Sequence, residues 1–125
     1  MAAIEAGELA ALGGEAYCYL VTTGRRSGEP REVEIWFAIE GTVLYMLAGG
    51  REGAHWVRNI QQEPAVTVRI GERTFAGRGR VLGEGAEDAR ARELLFAKYS
   101  AGYSSDLTGW RQTALPVAVD LLEMV

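Results

Sequence analysis

The stretch EVEIWFAIEGTVLYMLA, residues 32–48, decides the fold class. Apolar and polar side chains alternate over residues 32–39, which is the pattern of a β-strand with one buried face. Glu40 and Gly41 favour a tight turn, and the apolar run over residues 42–48 predicts a second strand. We therefore expect a β-hairpin at this position.

Four further segments have the β-branched and aromatic composition of strands. They are residues 17–23, 65–70, 73–82 and 115–122. Gly77 and Gly79 inside the third segment predict a bulge or a sharp bend, because glycine weakens regular strand pairing. Pro116 has no backbone N–H to donate, so we place it near the start of the last strand or on a sheet edge.

Two segments predict helices, and a third favours one. Residues 54–62 follow a glycine-rich loop and stop before Pro64, because a residue that precedes proline resists the α conformation. Residues 86–99 place apolar side chains at helical spacing, with charges between them. Residues 3–12 favour a further short helix, and residues 100–113 are predicted to be a loop.

The composition is that of one globular domain, which we expect to span residues 1–125. The chain has 125 residues, 48% of them apolar, and a net charge of -4. This charge argues against nucleic acid as a partner, because phosphate neutralisation needs a concentrated basic surface. The predicted strands and helices indicate an α+β fold with a mostly antiparallel, barrel-like sheet of five or more strands and two or three short helices.

The sequence contains no pattern for export, membrane insertion or metal binding. Its first residues lack the basic and apolar regions of a signal peptide, and no apolar run reaches the roughly 18 residues that span a bilayer. We therefore expect a cytoplasmic protein without an integral membrane segment. Cys18 is the single cysteine and His55 the single histidine, which excludes an internal disulfide and leaves no Cys/His metal cluster.

Common catalytic and nucleotide-binding patterns are absent as well. The sequence has no phosphate loop, no Gly-x-Gly-x-x-Gly, no Gly-x-Ser-x-Gly and no paired-histidine zinc motif. If the chain is an enzyme, we expect a bound cofactor to supply the reactive chemistry, with the protein orienting it.

The first candidate site is TTGRRSGEPR, residues 22–31. A predicted strand ends at Gly24, and a turn with three arginines and one serine follows. Backbone amides in such a turn form an anion-binding concavity, and guanidinium groups add charge-assisted hydrogen bonds. The segment predicts a phosphate site, although exposed turn charges paired with the nearby glutamates would give the same composition.

The second candidate site is LAGGREGAHWVRNI, residues 47–60, where a strand leads through a glycine loop into a helix. Amides at a helix N-terminus attract anions or the electron-rich edge of a ring. Gly49 and Gly50 would let a flat ligand approach the backbone. Trp56 and Ile60 are four residues apart, so packing of the helix on the sheet remains the alternative interpretation.

Taken together, TTGRRSGEPR, the alternating strand and VLYMLAGGREGAHWVRNI resemble the deazaflavin-dependent nitroreductase family, which lies within the flavin-binding split β-barrel superfamily. The resemblance covers about residues 19–81 and extends to the segment after residue 98 and to the final strand. Its most specific part is the arginine turn coupled to a W-x-x-N pattern, here Trp56 and Asn59. It implies a split β-barrel that binds coenzyme F420, a deazaflavin with a phosphate-bearing tail.

The resemblance also implies two groups of cofactor-binding residues. Those expected at the phosphate are Arg25, Arg26, Ser27, Gly28 and Arg31. Those expected along the deazaflavin ring are Ala48, Gly49, Gly50, Trp56 and Asn59. Arg51 stands near a position where the family often has lysine, and we include it among the candidates.

On the substrate side, the resemblance implies that Tyr99 and Tyr103 contact the electron acceptor. Their hydroxyls could hydrogen-bond an oxygen as it gains negative charge. Tyr99 also has the spacing of a residue on the covered face of its helix. Trp36 interrupts the acidic face of its strand, where it either packs under a neighbouring element or lines the ligand cleft.

The reaction that follows from the resemblance is transfer of a hydride from reduced F420 to a small electrophile, such as a quinone, a nitro compound or an activated alkene. The proton would come from water or a tyrosine. Two alternatives stay open: an FMN-binding oxidoreductase of the pyridoxamine 5'-phosphate oxidase-like group, and a non-enzymatic carrier of a flavin or tetrapyrrole. Related barrels commonly form homodimers, so we keep a homodimer as a candidate assembly.

Overall fold

The computed structural model describes residues 2–125. Within them, seven strands form one antiparallel sheet: β1 (Cys18–Thr23), β2 (Pro30–Ile35), β3 (Ala38–Glu40), β4 (Val43–Ala48), β5 (Ala65–Ile70), β6 (Arg73–Val81) and β7 (Leu115–Met124). The helices are α1 (Ala6–Leu12), α2 (His55–Gln62), α3 (Ala86–Ser100) and α4 (Thr108–Thr113), with a 3₁₀ turn at Arg51–Gly53.

The order of the strands explains why the sheet curls. Neighbours follow the order β2-β1-β5-β6-β7-β4-β3, so β2 and β3 lie at its two opposite edges. Only Trp36 and Phe37 separate these two strands along the chain. The two edges must therefore approach each other, and the sheet bends into a split β-barrel, as predicted.

The barrel interior is filled by side chains from the strands and by the inner faces of α1 and α2. Gly79 on β6 lets α2 approach, because a Cβ atom there would lie 2.8 Å from Cγ2 of Ile60. The register of β6 against β7 shifts between Ala76 and Gly77, which confirms the predicted bulge. A second apolar cluster lies between α3 and the outer side of β4 and β7.

The predicted hairpin over residues 32–48 is only partly correct. β3 pairs with β4 as expected, but β2 pairs with β1, with Glu32 opposite Val21. Phe37 and Ala38 are both buried, so the alternation of exposed and buried side chains breaks there. The strand is divided because its two halves belong to opposite edges of the sheet.

The remaining predictions agree with the structure except after α3. Strand β5 has the predicted bounds, α2 ends before Pro64, and Pro116 is the second residue of β7. The predicted loop over residues 100–113 instead contains α4, so this prediction was wrong. Asp106 accepts hydrogen bonds from the backbone N–H and the hydroxyl of Thr108, which stabilises the start of that helix. No helix within residues 2–125 has both the length and the apolar character needed to cross a membrane.

Candidate functional site

The arginine turn between β1 and β2 opens onto a cavity of about 420 Å³, which we call the arginine cavity. Residues from the turn, the start of β2 and the first turns of α2 surround it. They are Gly24, Arg25, Arg26, Ser27, Arg31, Glu32, Val33, His55, Trp56 and Asn59. The two candidate segments, far apart in sequence, thus meet at one place, because α2 packs against β1 and brings its N-terminal end to the turn.

Arg25 is held by an amide oxygen and a histidine ring nitrogen rather than by a carboxylate. Its backbone N–H and its Nη1 donate to Oδ1 of Asn59, at 3.2 and 3.0 Å, and Nη2 lies 3.1 Å from Nδ1 of His55. An amide oxygen and a ring nitrogen orient the guanidinium without cancelling its charge. The positive charge of Arg25 therefore remains available to an anion in the cavity.

The rest of the turn presents two further arginines. The Oγ of Ser27 accepts hydrogen bonds from the N–H of Glu29 and from Nη2 of Arg31, at 3.1 and 3.3 Å. A carboxylate oxygen of Glu29 lies 3.7 Å from Nη1 of Arg31, and both side chains are exposed, so water screens this pair strongly. Arg26 is exposed at the cavity rim.

Two glycines shape this turn. Gly28 has a φ of 74°, a conformation that glycine adopts without strain. A Cβ atom on Gly24 would lie 2.7 Å from Oγ of Ser27 and 3.1 Å from the carbonyl oxygen of Glu29. Replacing Gly24 would therefore displace the hydroxyl that supports Arg31. Together these residues form a compact, positively charged turn suited to a phosphate or carboxylate.

A second cavity, of about 480 Å³, follows directly along β2, and we call it the aromatic cavity. It is lined by Tyr17, Glu34, Ile35, Trp36, Leu47, Tyr103, Leu107 and Trp110. The rings of Tyr103 and Trp110 contact Trp36 edge to face, with centroids 5.3 and 5.5 Å away. Such a surface accommodates a flat apolar ligand, and it places Trp36 at a ligand-sized cavity as well as in a packed aromatic cluster.

Two segments of chain connect the linings of the two cavities. Glu32 and Val33 line the first, and the next residues of β2, Glu34 and Ile35, line the second. On the other side, β4 ends at the aromatic cavity with Leu47, and residues 48–54 lead to the helix residues of the arginine cavity. The cationic turn and the aromatic cavity are therefore neighbours along β2, although no residue lines both.

The comparisons with known proteins agree with this arrangement. A family model described as F420H(2)-dependent quinone reductase matches residues 3–122. The chain belongs to this family. It is accordingly an oxidoreductase, and its cofactor is coenzyme F420, as the sequence predicted. The comparison with curated proteins gave no match.

Solved structures support the same assignment. An F420-H2-dependent reductase, FDR-A, is 25% identical, with 83% of this chain and 92% of that one covered and a TM-score of 0.66. A structure described as a domain-swapped dimer is also 25% identical, covering 83% of this chain and 78% of that one, with a TM-score of 0.67. A putative pyridoxamine 5'-phosphate oxidase from Listeria innocua shares the fold, with a TM-score of 0.71 and 95% and 94% coverage at 15% identity.

The glycine loop of this family member connects Leu47 of the aromatic cavity to His55 of the arginine cavity, and residues 48–51 line neither cavity. Ala48 is buried at the end of β4, whereas Gly49 and Gly50 are exposed. A Cβ atom on Gly49 would meet nothing within 4 Å, so open space lies beside the backbone where a planar ring is predicted. Arg51 turns away from the arginine cavity, with Nη1 donating to the carbonyl oxygen of Thr113. Its contact with the cofactor therefore stays a prediction.

The two predicted substrate tyrosines have different environments. The hydroxyl of Tyr99 accepts from the N–H of Phe37 at 3.0 Å and lies 2.8 Å from the carbonyl oxygen of Ala16. Burial raises the pKa of Tyr99 to about 12, and its ring stacks on Trp36 with centroids 4.2 Å apart. Tyr99 thus packs against Trp36 and does not line the aromatic cavity, whereas Tyr103 lines that cavity and is half exposed.

Lys98 is a residue that sequence reasoning missed. Its Nζ donates to the carbonyl oxygens of Phe37 and Glu15, each at 2.8 Å, and lies 3.7 Å from the centroid of the Phe37 ring. Burial lowers the pKa of Lys98 to about 8. These contacts fix the end of α3 against the link between β2 and β3, next to Trp36. Lys98 is the only lysine of the chain, and this was the one feature of the sequence that could have drawn attention to it.

Other missed residues lie in the lining of the aromatic cavity. Leu107 and Trp110 belong to the segment that was predicted to be a loop, so their orientation could not be derived from periodicity. Tyr17 was assigned to a strand without any functional role, and Leu47 was included in the second candidate segment without a role of its own. Their contribution depends on tertiary packing that brings β1, β4 and α4 together.

Proposed function

We propose that this protein transfers a hydride from reduced F420 to a small electrophilic acceptor, and that quinones, nitro compounds or activated alkenes form the acceptor class. The observation that carries the proposal is that consecutive residues of β2 line the arginine cavity and then the aromatic cavity. A ligand with an anionic end and a flat ring fits such a site.

The arginine turn would hold the anionic end of the cofactor. An amide oxygen and a ring nitrogen, rather than a carboxylate, hold Arg25, so its charge stays uncompensated, and Arg26 and Arg31 add further donors at the rim. Guanidinium groups bind phosphate through pairs of parallel hydrogen bonds, which fix orientation as well as affinity. The backbone N–H groups of the turn would contribute to the same anion site.

The glycine loop and α2 would flank the ring. Gly49 leaves open space beside the backbone, and Trp56 lines the arginine cavity from the first turn of α2. From Arg31 to Trp36 the chain advances five residues, or about 16 Å at the rise of a β-strand. This separation leaves room for the ring between the arginine turn, which would hold the tail, and Trp36, against which the acceptor would pack.

The acceptor would enter the aromatic cavity. Bound F420 in its reduced form supplies the hydride. Trp36 and Trp110 offer faces and edges against which a flat acceptor can pack, and the hydroxyl of Tyr103 can donate a hydrogen bond to its carbonyl or nitro oxygen. Tyr103 or water would then provide the proton that completes a two-electron reduction.

The test is a side-by-side titration of the purified protein with F420 and with FMN, followed by turnover of F420H2 with a quinone, a nitroaromatic compound and an activated alkene. We expect F420 to bind with a change in fluorescence, and Tyr103→Phe to lower kcat with little change in F420 affinity. Tight binding of FMN without binding of F420 would overturn the cofactor assignment. Binding of F420 without turnover of any acceptor would contradict the proposed reaction.

We also propose a homodimer. The outer face of the sheet carries small side chains around a depression that Val21, Thr67 and Ala76 line, and Leu122 beside it is 62% exposed. A second copy that covers this face would remove Leu122 from water. Light scattering should give twice the monomer mass for the wild-type protein and the monomer mass for the Leu122→Glu variant. A monomeric wild type would refute the assembly.

A further inference from the structure

Two polar side chains are buried in the part of the chain that the structure describes, and both lie beneath the arginine cavity. Thr22 is 1% exposed and Asn59 is 3% exposed. Thr22 faces inward from the end of β1, and Asn59 lies on the inner face of α2 beside Val57 and Ile60. Buried polar groups cost stability unless they are paired, so their position needs a reason.

These two residues and Arg25 form one chain of hydrogen bonds. Nδ2 of Asn59 donates to Oγ1 of Thr22 at 3.0 Å, and Oδ1 of Asn59 accepts both the backbone N–H and Nη1 of Arg25. Arg25 offers only donors, so the oxygen of the amide must face it. The NH₂ group is then directed into the barrel, where Thr22 supplies the acceptor.

The chain of bonds leaves the Asn59 side chain with little capacity for a ligand. Its oxygen already accepts two hydrogen bonds, its nitrogen donates to Thr22, and almost none of its surface reaches the cavity. Arg25, by contrast, is partly exposed and lines the cavity directly. An effect of Asn59 on a ligand would therefore pass through Arg25.

We propose that Thr22 and Asn59 are positioning residues that set the guanidinium of Arg25 for the anionic end of the cofactor, without themselves contacting it. This inference rests on the proposed function. The pair restricts Arg25 before the ligand arrives, which reduces the conformational entropy lost on binding. Because the Asn59 amide is neutral, it orients the Arg25 side chain without compensating the guanidinium charge.

The experiment is a double-mutant cycle on F420 affinity, measured by fluorescence titration. Thr22→Val keeps the shape of the side chain and removes its hydroxyl, whereas Thr22→Ser keeps the hydroxyl and serves as the matched control. We expect Thr22→Val to raise Kd about tenfold, within the range of couplings between residues of one network, and Thr22→Ser to raise it less than about twofold. In the Arg25→Ala background, Thr22→Val should change Kd less than about twofold.

A second cycle, with Asn59→Ala in place of Thr22→Val, repeats the test from the other end of the bond. Thermal denaturation accompanies both cycles, because a purely structural loss would lower the melting temperature equally in both backgrounds and would weaken binding equally in both. Losses of affinity that simply multiply in the double variants would overturn the inference. If Arg25→Ala alone binds F420 as wild type does, the proposed cofactor site fails first, and the positioning role fails with it.

Discussion

Two arginines of this protein, Arg25 and Arg80, show opposite uses of the same side chain. Arg25 at the arginine cavity bonds to an amide oxygen and lies next to a histidine nitrogen. Arg80 on β6 donates to both oxygens of Glu87 at 2.6 and 2.8 Å and to both oxygens of Asp120 at 3.0 and 2.8 Å. Two carboxylates surround the second guanidinium, and none contacts the first.

The difference shows how the partners of an arginine determine its role. Glu87 also accepts a hydrogen bond from the hydroxyl of Tyr45 at 2.8 Å, so the cluster ties α3 to β4, β6 and β7. Hydrogen bonds from Arg80 and then Tyr45 lower the pKa of Glu87 to about 2. Two carboxylates compensate the charge of Arg80, which stabilises the fold. Arg25 is oriented by its partners, and its charge is left uncompensated for a ligand.

The largest effect that separates the two should come from Arg25→Ala. Loss of a charge-assisted hydrogen bond to an anion should raise the Kd for F420 about 10- to 100-fold. The melting temperature without ligand should change little, since the oxygen of the buried Asn59 amide keeps its hydrogen bond from the backbone N–H of residue 25. Fluorescence titration and thermal denaturation measure the two quantities on the same sample; an unchanged Kd would remove Arg25 from the cofactor site.

Arg80→Met should have the reverse effect. It leaves Glu87 and Asp120 facing each other without a cation, although partial exposure of all three side chains weakens the repulsion by solvent screening. We expect a loss of about 1 kcal/mol, or a fall of about 3 to 5 °C in melting temperature. The Kd for F420 should remain within about twofold of wild type, as for distant independent sites. A large loss of affinity would contradict the separation of the two roles.

The pH dependence of the free energy of unfolding should show a smaller effect of the Arg80 cluster than the Arg80→Met variant does. The pKa of Glu87 is lowered from 4.5 to about 2 in the folded protein, so its stabilising contribution is complete above pH 4.5 and is lost as the pH falls to about 2. Glu87→Gln should flatten the free energy of unfolding over this interval. Urea denaturation at several pH values measures it, and Tyr45→Phe should lie between that variant and wild type.

The smallest effects are expected at Arg31, whose position is intermediate between the two cases. Glu29 lies 3.7 Å away and is exposed, so it cancels only part of the Arg31 charge. Glu29→Gln should tighten F420 binding about twofold, and Arg31→Ala should weaken it about threefold, as expected for exposed charges. Both differences should shrink as salt is added; effects that persist at high salt would indicate direct contacts of another kind.

Local sequence patterns were sufficient to predict most strands, whereas the meeting of the two candidate segments was implied only by the resemblance to a known family. Residues 65–70 and 73–82 carry alternation and turn signals that need no knowledge of distant neighbours. The break after β2 could not be derived in this way, because apolar character continues through Trp36 and Phe37. What divides the strand is the closure of the barrel, which depends on the whole sheet.

The site was predictable to a similar degree. The arginine turn, the glycine loop and Trp56 stand out by composition, and the structure brings the turn and Trp56 to one cavity. The partners of each arginine could not be predicted, since Arg25 bonds to a residue 34 positions away and Arg80 to one 40 positions away. A polar residue at an inward position of β1, Thr22, was the one available signal for the network beneath the cavity.

The short link between β2 and β3 has a consequence for how this protein could diversify. Trp36 lies in the link between the two edge strands of the sheet, and its ring lines the aromatic cavity. Backbone pairing within β2 and β3 involves neither Trp36 nor Phe37. Under the proposed function, exchanging the Trp36 side chain would therefore change which acceptors enter the aromatic cavity while the backbone hydrogen bonds of β2 and β3 are kept.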